Sequence, residues 1–229
     1  MPPDQHVVLG VDGTSNGWVA VALADGRFLE ARLVQQFADL LDRYPKAAVI
    51  GVDIPIGLPE TGRRFADQLA RRVLGPARMA SVFPTPPRRV LKASTYDQAL
   101  AISRRLCAHG VSRQAYGLRT KIFEVDAVVA RHPRVVEVHP EVSFTAMGWR
   151  PVEASKKTWN GLMERRRLLA EAGIVLGDRL EHVGAAAPDD VVDAAAVAWT
   201  AHRVALGLAG TLPNAPPRDR TGRQVAIWY

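Results

Sequence analysis

Three apolar runs in this chain end at or near a carboxylate: VVLGVD at Asp12, AAVIGVD at Asp53, and RVVEVHPE, which carries Glu137. A fourth acidic group, PDDVVDAAAVAW, sets Asp190 and Asp193 at the start of an apolar helix. Carboxylates are among the side chains least often buried. A buried one needs a hydrogen-bond partner, a proton or a cation. Acids that converge from strand ends and a helix form a donor set for divalent metal ions, and oxygen ligands of this hardness suit Mg²⁺ or Mn²⁺. Two such ions about 3.5–4 Å apart clamp the attacking and leaving oxygens of a phosphodiester, with water as the nucleophile. The chain has neither a serine nucleophile elbow nor a P-loop, which agrees with that chemistry.

For Asp12 and Asp190 a purely structural explanation is also at hand, and for the others less so. Asp12, in GVDG, is placed to start an Asx-turn. Asp53 lies between apolar neighbours at the carboxyl end of a central strand, where open α/β sheets hold their ligands. Strand alternation puts Val135, Glu137 and His139 on one face and Val136 and Val138 on the other. His139 is therefore a supporting residue, and Glu141, beyond Pro140, lies near the site. Acids at a helix start, as at Asp189 and Asp190, favour the helix dipole. Capping explains Asp193 less well, because Ala and Val surround it. Arg88 and Arg89, after the proline-rich SVFPTPP, are the best candidates for phosphate contact after the acids, followed by Lys121, Lys156, Lys157 and Arg165, each of which on its own reads more simply as solvated helix surface.

The elements that must position these residues read as follows. Residues 6–12 form a buried strand, GTSNG a turn, and WVAVALA and RFLEARLV a hairpin closed by Asp25-Gly26. A helix covers Phe37–Tyr44, and a central strand Ala48–Asp53. Helices follow at Arg63–Leu74, ended by Gly75-Pro76, at Thr95–Cys107 with Thr95 as N-cap, and at Lys121–Arg131. Arg134–Val138 returns to strand. Helices near 157–172 and 189–207 and a terminal strand or docked tail, RQVAIWY, complete the chain. The segment from Thr61 to Arg131 holds 14 Lys and Arg against 4 Asp and Glu. It is expected to be a basic helical insertion that tracks phosphates.

With 229 residues, 48% of them hydrophobic, the chain can build one α/β domain. Its net charge of +7 comes mainly from arginine, 25 against 5 lysines. The single cysteine, Cys107, allows neither an internal disulfide nor a cysteine zinc cluster. The sequence has no apolar run of membrane-spanning length. MPPDQHVVLG lacks the pattern of a secretory signal. These features lead us to expect a cytoplasmic protein.

GVDGTSNGW, VDIPIGLP, SVFPTPPR, KIFEVD, EVHPE and DDVVDA together resemble the family catalogued as domain of unknown function 429, regarded as predicted nucleases of the ribonuclease H-like superfamily. The likeness runs over nearly the whole chain. It implies a mixed α/β sheet with an antiparallel hairpin portion, flanked by helices. It also implies metal-binding roles for Asp12, Asp53, Glu137 and Asp193, with Asp190 possible. The acid spacing on the last helix resembles that of Holliday-junction resolvases. The basic insertion is absent from simple ribonuclease H domains. The leading expectation is a two-metal nuclease acting on DNA or RNA. An ATP-dependent phosphotransferase of the actin and sugar-kinase fold, and a non-catalytic nucleic-acid-binding module, are the alternatives.

Overall fold

Strand β1 (Val7–Thr14) runs further than expected, so only Ser15 and Asn16 separate it from β2 (Gly17–Ala24). Strand β3 (Arg27–Val34) follows through Asp25 and Gly26, whose φ values of 50° and 79° suit the tight hairpin read from the sequence. Helix α1 (Phe37–Arg43) leads to β4 (Ile50–Val52). The computed structural model describes residues 6–219 and 222–229. The first five residues of MPPDQHVVLG lie outside them.

Between β4 and β5 (Val135–Glu137) come α2 (Phe65–Arg78), a 3₁₀ turn at Met79–Ser81, α3 (Arg88–Leu91), α4 (Tyr96–Cys107), α5 (Arg113–Gly117) and α6 (Arg119–Val129). After β5 come α7 (Pro140–Gly148), α8 (Trp159–Glu171), α9 (Pro188–Ala205) and the strand pair β6 (Thr211–Leu212) and β7 (Ile227–Trp228). The main sheet has the order β3-β2-β1-β4-β5. Its hairpin portion is antiparallel, and β1, β4 and β5 are parallel. This is the flanked mixed sheet expected from the resemblance. No described helix is long and apolar enough to cross a membrane.

Thr95 caps α4 as expected, accepting from the Gln98 amide. The helix expected to end at Gly75-Pro76 does break there: Gly75 leaves helical geometry with a φ of 63° and a ψ of −177°, and a second short helical stretch carries α2 on to Arg78. The unexpected helix α7 begins at Pro140, the first-turn position where a missing N–H costs nothing. Nor is the basic block a uniform insertion. Helix α6 covers the sheet with Ile122, Val125 and Val129, whereas α3 to α5 surround a small core of their own at Val90, Ala99, Val111, Ala115 and Tyr116.

The two sheet faces differ in what they meet. Leu9, Val11, Ile50, Val52 and Val135 pack towards α1 and α6. On the other face lies α9, whose Ala194 to Ala198 are fully buried. Bare glycine backbone lets α9 settle there. A Cβ on Gly10 would lie 2.0 Å from Ala198 N and 2.1 Å from Ala194 O, and one on Gly51 would lie 2.8 Å from the Val197 side chain. Gly10 and Gly51 are partners across the β1–β4 register. Each sits two residues before a cluster acid, so Asp12 and Asp53 share its face. Gly10→Ala is expected to cost about 1–3 kcal/mol or more through overpacking. Urea unfolding measures it, and an unchanged midpoint would mean that α9 is not seated as described.

Candidate functional site

The parallel register that aligns Gly10 with Gly51 carries on to the strand ends. The Asp53 amide donates to the Val11 carbonyl at 2.9 Å, which sets Asp53 beside Asp12. Asp193 sits one residue before Ala194, the α9 residue packed on Gly10. Asp12 is buried, and its Oδ1 accepts from the Gly13 amide at 2.7 Å. Asp193 has no solvent exposure, and its Oδ1 has no hydrogen-bond partner. Asp12, Asp53, Asp190 and Asp193 line one cleft of about 330 Å³, with Glu137, His139, Glu141 and Lys156.

Burial, then the charges of Asp53 and Asp193, push the Asp12 carboxyl well above the usual carboxylate range. Burial also raises Asp53 against the pull of His139 and Lys156. Burial and the adjacent Asp189 raise the half-exposed Asp190. Asp193 is pushed by burial from its ordinary 3.8 up to about 7, despite Lys156. The native state thus holds protons that the unfolded chain releases between about pH 4 and pH 7. Metal-free stability should therefore fall as pH rises through that window. Asp12→Asn keeps an oxygen for the Gly13 amide and removes one repelling charge. Without metal at pH 8, its melting temperature is expected to rise by a few degrees, at ~2–4 °C per kcal/mol for a chain of this size. A lower melting temperature with an unaltered pH slope would assign Asp12 to structural hydrogen bonding.

Glu137 reaches the cleft from the other side of the sheet. It pairs with Val52 in register, one residue short of Asp53, and a one-residue step reverses the face. Both its oxygens are engaged: Oε2 accepts from the Ile56 amide at 2.7 Å and from Arg64 at 2.9 Å, and Oε1 from Arg64 at 2.5 Å. Metal ligation was expected of it. In the structure it forms a buried ion pair with Arg64, a partner 73 residues away that no local pattern marks.

Several expected phosphate contacts are also committed elsewhere. Arg165 is fully buried against Glu141, at 2.8 and 2.7 Å, so it cannot meet a substrate, and Glu141 is the anion of that pair. Arg88 forms two bonds to Asp126, at 2.6 and 2.8 Å. Lys157 pairs with Asp189 at 2.6 Å, and α9 has no side-chain cap. Lys121 is half-buried, donates to the Gly17 carbonyl at 2.5 Å and lies 4.4 Å from the Trp18 ring centroid. It touches the Gly13 turn and so borders the cleft. Arg89 is exposed. His139 lines the cleft, its Nε2 3.4 Å from the Ser81 carbonyl and its buried Nδ1 without a partner.

Sequence reasoning missed the central position of Lys156. Its ammonium bonds Asp193 Oδ2 and stands 3.7 Å from Asp189. Burial opposes its charge, yet Asp193, Asp12 and Asp53 hold it above the ordinary lysine range. The neighbouring SKK reads only as a polar loop in sequence. Among the described residues, no three His, Cys, Asp or Glu side chains converge closely enough to hold one ion. The chemistry of the cluster still fits a hard divalent cation: Asp12, Asp53 and Asp193 offer oxygen alone, and Asp193 Oδ1 is buried without a partner.

The family described as "Protein of unknown function (DUF429)" matches residues 10–218. No curated protein matches the chain. Among solved structures, one titled "Thermus thermophilus RuvC structure" aligns at 11% identity over 88% of this chain and 97% of that one, with a TM-score of 0.38.

Proposed function

The chain belongs to the DUF429 family, and we propose that it is a metal-dependent nuclease that hydrolyses phosphodiester bonds in nucleic acid. The observation that carries this reading is the set of acids Asp12, Asp53 and Asp193, the first and last of them buried, which share one cleft at the strand ends, where Asp53 and Asp193 repel Asp12. A fold tolerates such a cluster when a cation relieves it. Asp12, Asp53 and Asp193 would hold Mg²⁺ or Mn²⁺, with Asp190 at the half-exposed edge. When bound, such an ion supplies Lewis-acid polarisation of a phosphoryl oxygen and makes water a better nucleophile.

The protein's own part is to orient and to bind. The glycine contacts under α9 fix Asp193 against the strand-end acids. The Arg64 pair fixes Ile56, three residues beyond Asp53. Lys121 at the rim and the exposed Arg89 and Lys92 supply positive charge for a phosphate backbone. Arg113 and Arg119 lie 4.3 Å from the ring centroids of Tyr96 and Tyr116. The α3–α5 lobe is thus the basic wing of the proposed substrate path.

The test is a panel of end-labelled DNA and RNA in single-stranded, duplex and branched forms, incubated with Mg²⁺, Mn²⁺ or EDTA. Cleavage in a metal-containing arm that EDTA abolishes supports the reading. Intact substrates throughout, with ATP hydrolysed instead, would favour the phosphotransferase.

A further inference from the structure

Lys156 enters the cleft on the loop between α7 and α8, and that loop is held from beneath. Fully buried Arg165 bridges Glu141 to the Ala154 carbonyl, the latter at 2.9 Å. Gly161 lies so close below that a Cβ there would be 2.1 Å from the Ser155 oxygen. That oxygen also accepts from the Thr158 amide at 2.9 Å and its hydroxyl at 2.8 Å. The Glu141–Arg165 pair therefore anchors the backbone two residues before Lys156. The lysine is aimed into the acid cluster by construction.

Two further observations bear on what it does there. Asp193 has no solvent exposure; Lys156 takes its Oδ2, while its Oδ1 has no partner. The fourth carboxylate on which a second divalent ion would draw, Glu137, is committed to Arg64 and the Ile56 amide. Charge gives the same count. Asp12, Asp53 and Asp193 are neutralised by one ammonium and one divalent ion, whereas two divalent ions beside the ammonium would leave an excess of positive charge that the half-exposed Asp190 only partly offsets. An ammonium is a compact point charge with three donors, which suits it to an ion's position. We infer that Lys156 stands in for one of the two divalent ions, so that the chain takes up a single Mg²⁺ or Mn²⁺ beside a built-in cation. This rests on the metal-dependent reading above.

The test uses the full chain and Mn²⁺ alone, with bound ions counted by calorimetric titration and by loss of the free-Mn²⁺ paramagnetic resonance signal. Wild type should saturate at one equivalent. Lys156→Met should accept a second equivalent or bind the first roughly tenfold or more tightly, since a neighbouring positive charge has been removed. Lys156→Arg keeps the charge and should stay at one. Lys157→Met, changed in the same loop outside the cleft lining, should match wild type. Two equivalents in wild type, or a folded Lys156→Met that behaves like wild type, would overturn the inference and leave the metal reading standing. If no variant and no wild-type chain binds Mn²⁺, the metal reading falls, and this inference with it. Should Lys156→Met fail to fold, the wild-type count and Lys156→Gln decide.

Discussion

Asp53→Asn and Asp12→Asn should each lower metal-dependent cleavage by ~10²–10³-fold, the scale of losing one preorganised electrostatic contact at a transferring group. The substitutions are nearly isosteric. Each keeps one oxygen and exchanges the other for an NH₂ that cannot ligate a cation. Asp12 retains its bond from the Gly13 amide, so the β1 end keeps its shape. Nucleic-acid affinity in EDTA should be unchanged or slightly higher, because a negative charge leaves the cleft and the basic α3–α5 lobe is untouched. Initial rates with saturating Mn²⁺, paired with binding curves in EDTA, separate the two effects. Equal cleavage by wild type and both variants would remove these acids from the chemistry.

How far this site could be read from sequence depends on the range of the contacts that build it. Asp12, Asp53 and Asp193 were legible because their placement follows from local pattern. Two β-branched runs end in Asp, each with a glycine two residues earlier, and an Ala-rich helix carries an acid among small side chains. Parallel pairing of the two runs then suffices to bring the acids together. The Asp25-Gly26 hairpin and the Thr95 cap are equally local. Glu137 shows where such reasoning stops. Alternation correctly grouped it with Val135, but which face that group takes depends on the β4–β5 register, and the register aligns Glu137 with Val52.

Charge was harder to read than hydrophobicity for the same reason. The excess of positive charge between Thr61 and Arg131 reads as a phosphate-tracking surface, yet Arg64, Arg71, Arg78 and Arg88 serve internal contacts with Glu137, the Met79 and Val82 carbonyls, Glu141 and Asp126. An arginine's partner 38 to 73 residues away leaves no periodic trace. Helix α7 escaped because HPEVSF continues a β-branched run. The proline there marks the helix start.

Arg64→Met should be the most destabilising of these single changes, costing about 3–5 kcal/mol, because it leaves buried carboxylates without their cation. Arg64 is almost inaccessible and makes five hydrogen bonds: two to Asp67 at 3.0 and 2.8 Å, two to Glu137 at 2.9 and 2.5 Å, and one to the Ile56 carbonyl at 2.8 Å. Asp67 in turn accepts from the Thr85 amide at 2.7 Å, so the guanidinium joins the start of α2, the exit from Asp53, the end of β5 and the proline-rich loop. Without it, Glu137 and Asp67 would face each other as buried carboxylates with no cation between them. Burial already raises the Glu137 carboxyl against the pull of Arg64, and without that pull it would hold its proton more tightly still, so the variant's deficit should grow as pH rises above the ordinary carboxylate range and shrink below it. Adding Glu137→Gln removes one orphaned charge and should recover part of the loss, a coupling that a double-mutant cycle in urea reads directly. A metal-ligating Glu137 predicts the opposite pattern: Glu137→Gln alone would abolish the Mn²⁺-induced rise in melting temperature, and no rescue of Arg64→Met would follow. Under the pairing seen here, the Mn²⁺ shift of Glu137→Gln persists, and the penalty of Arg64→Met depends on whether Glu137 carries charge.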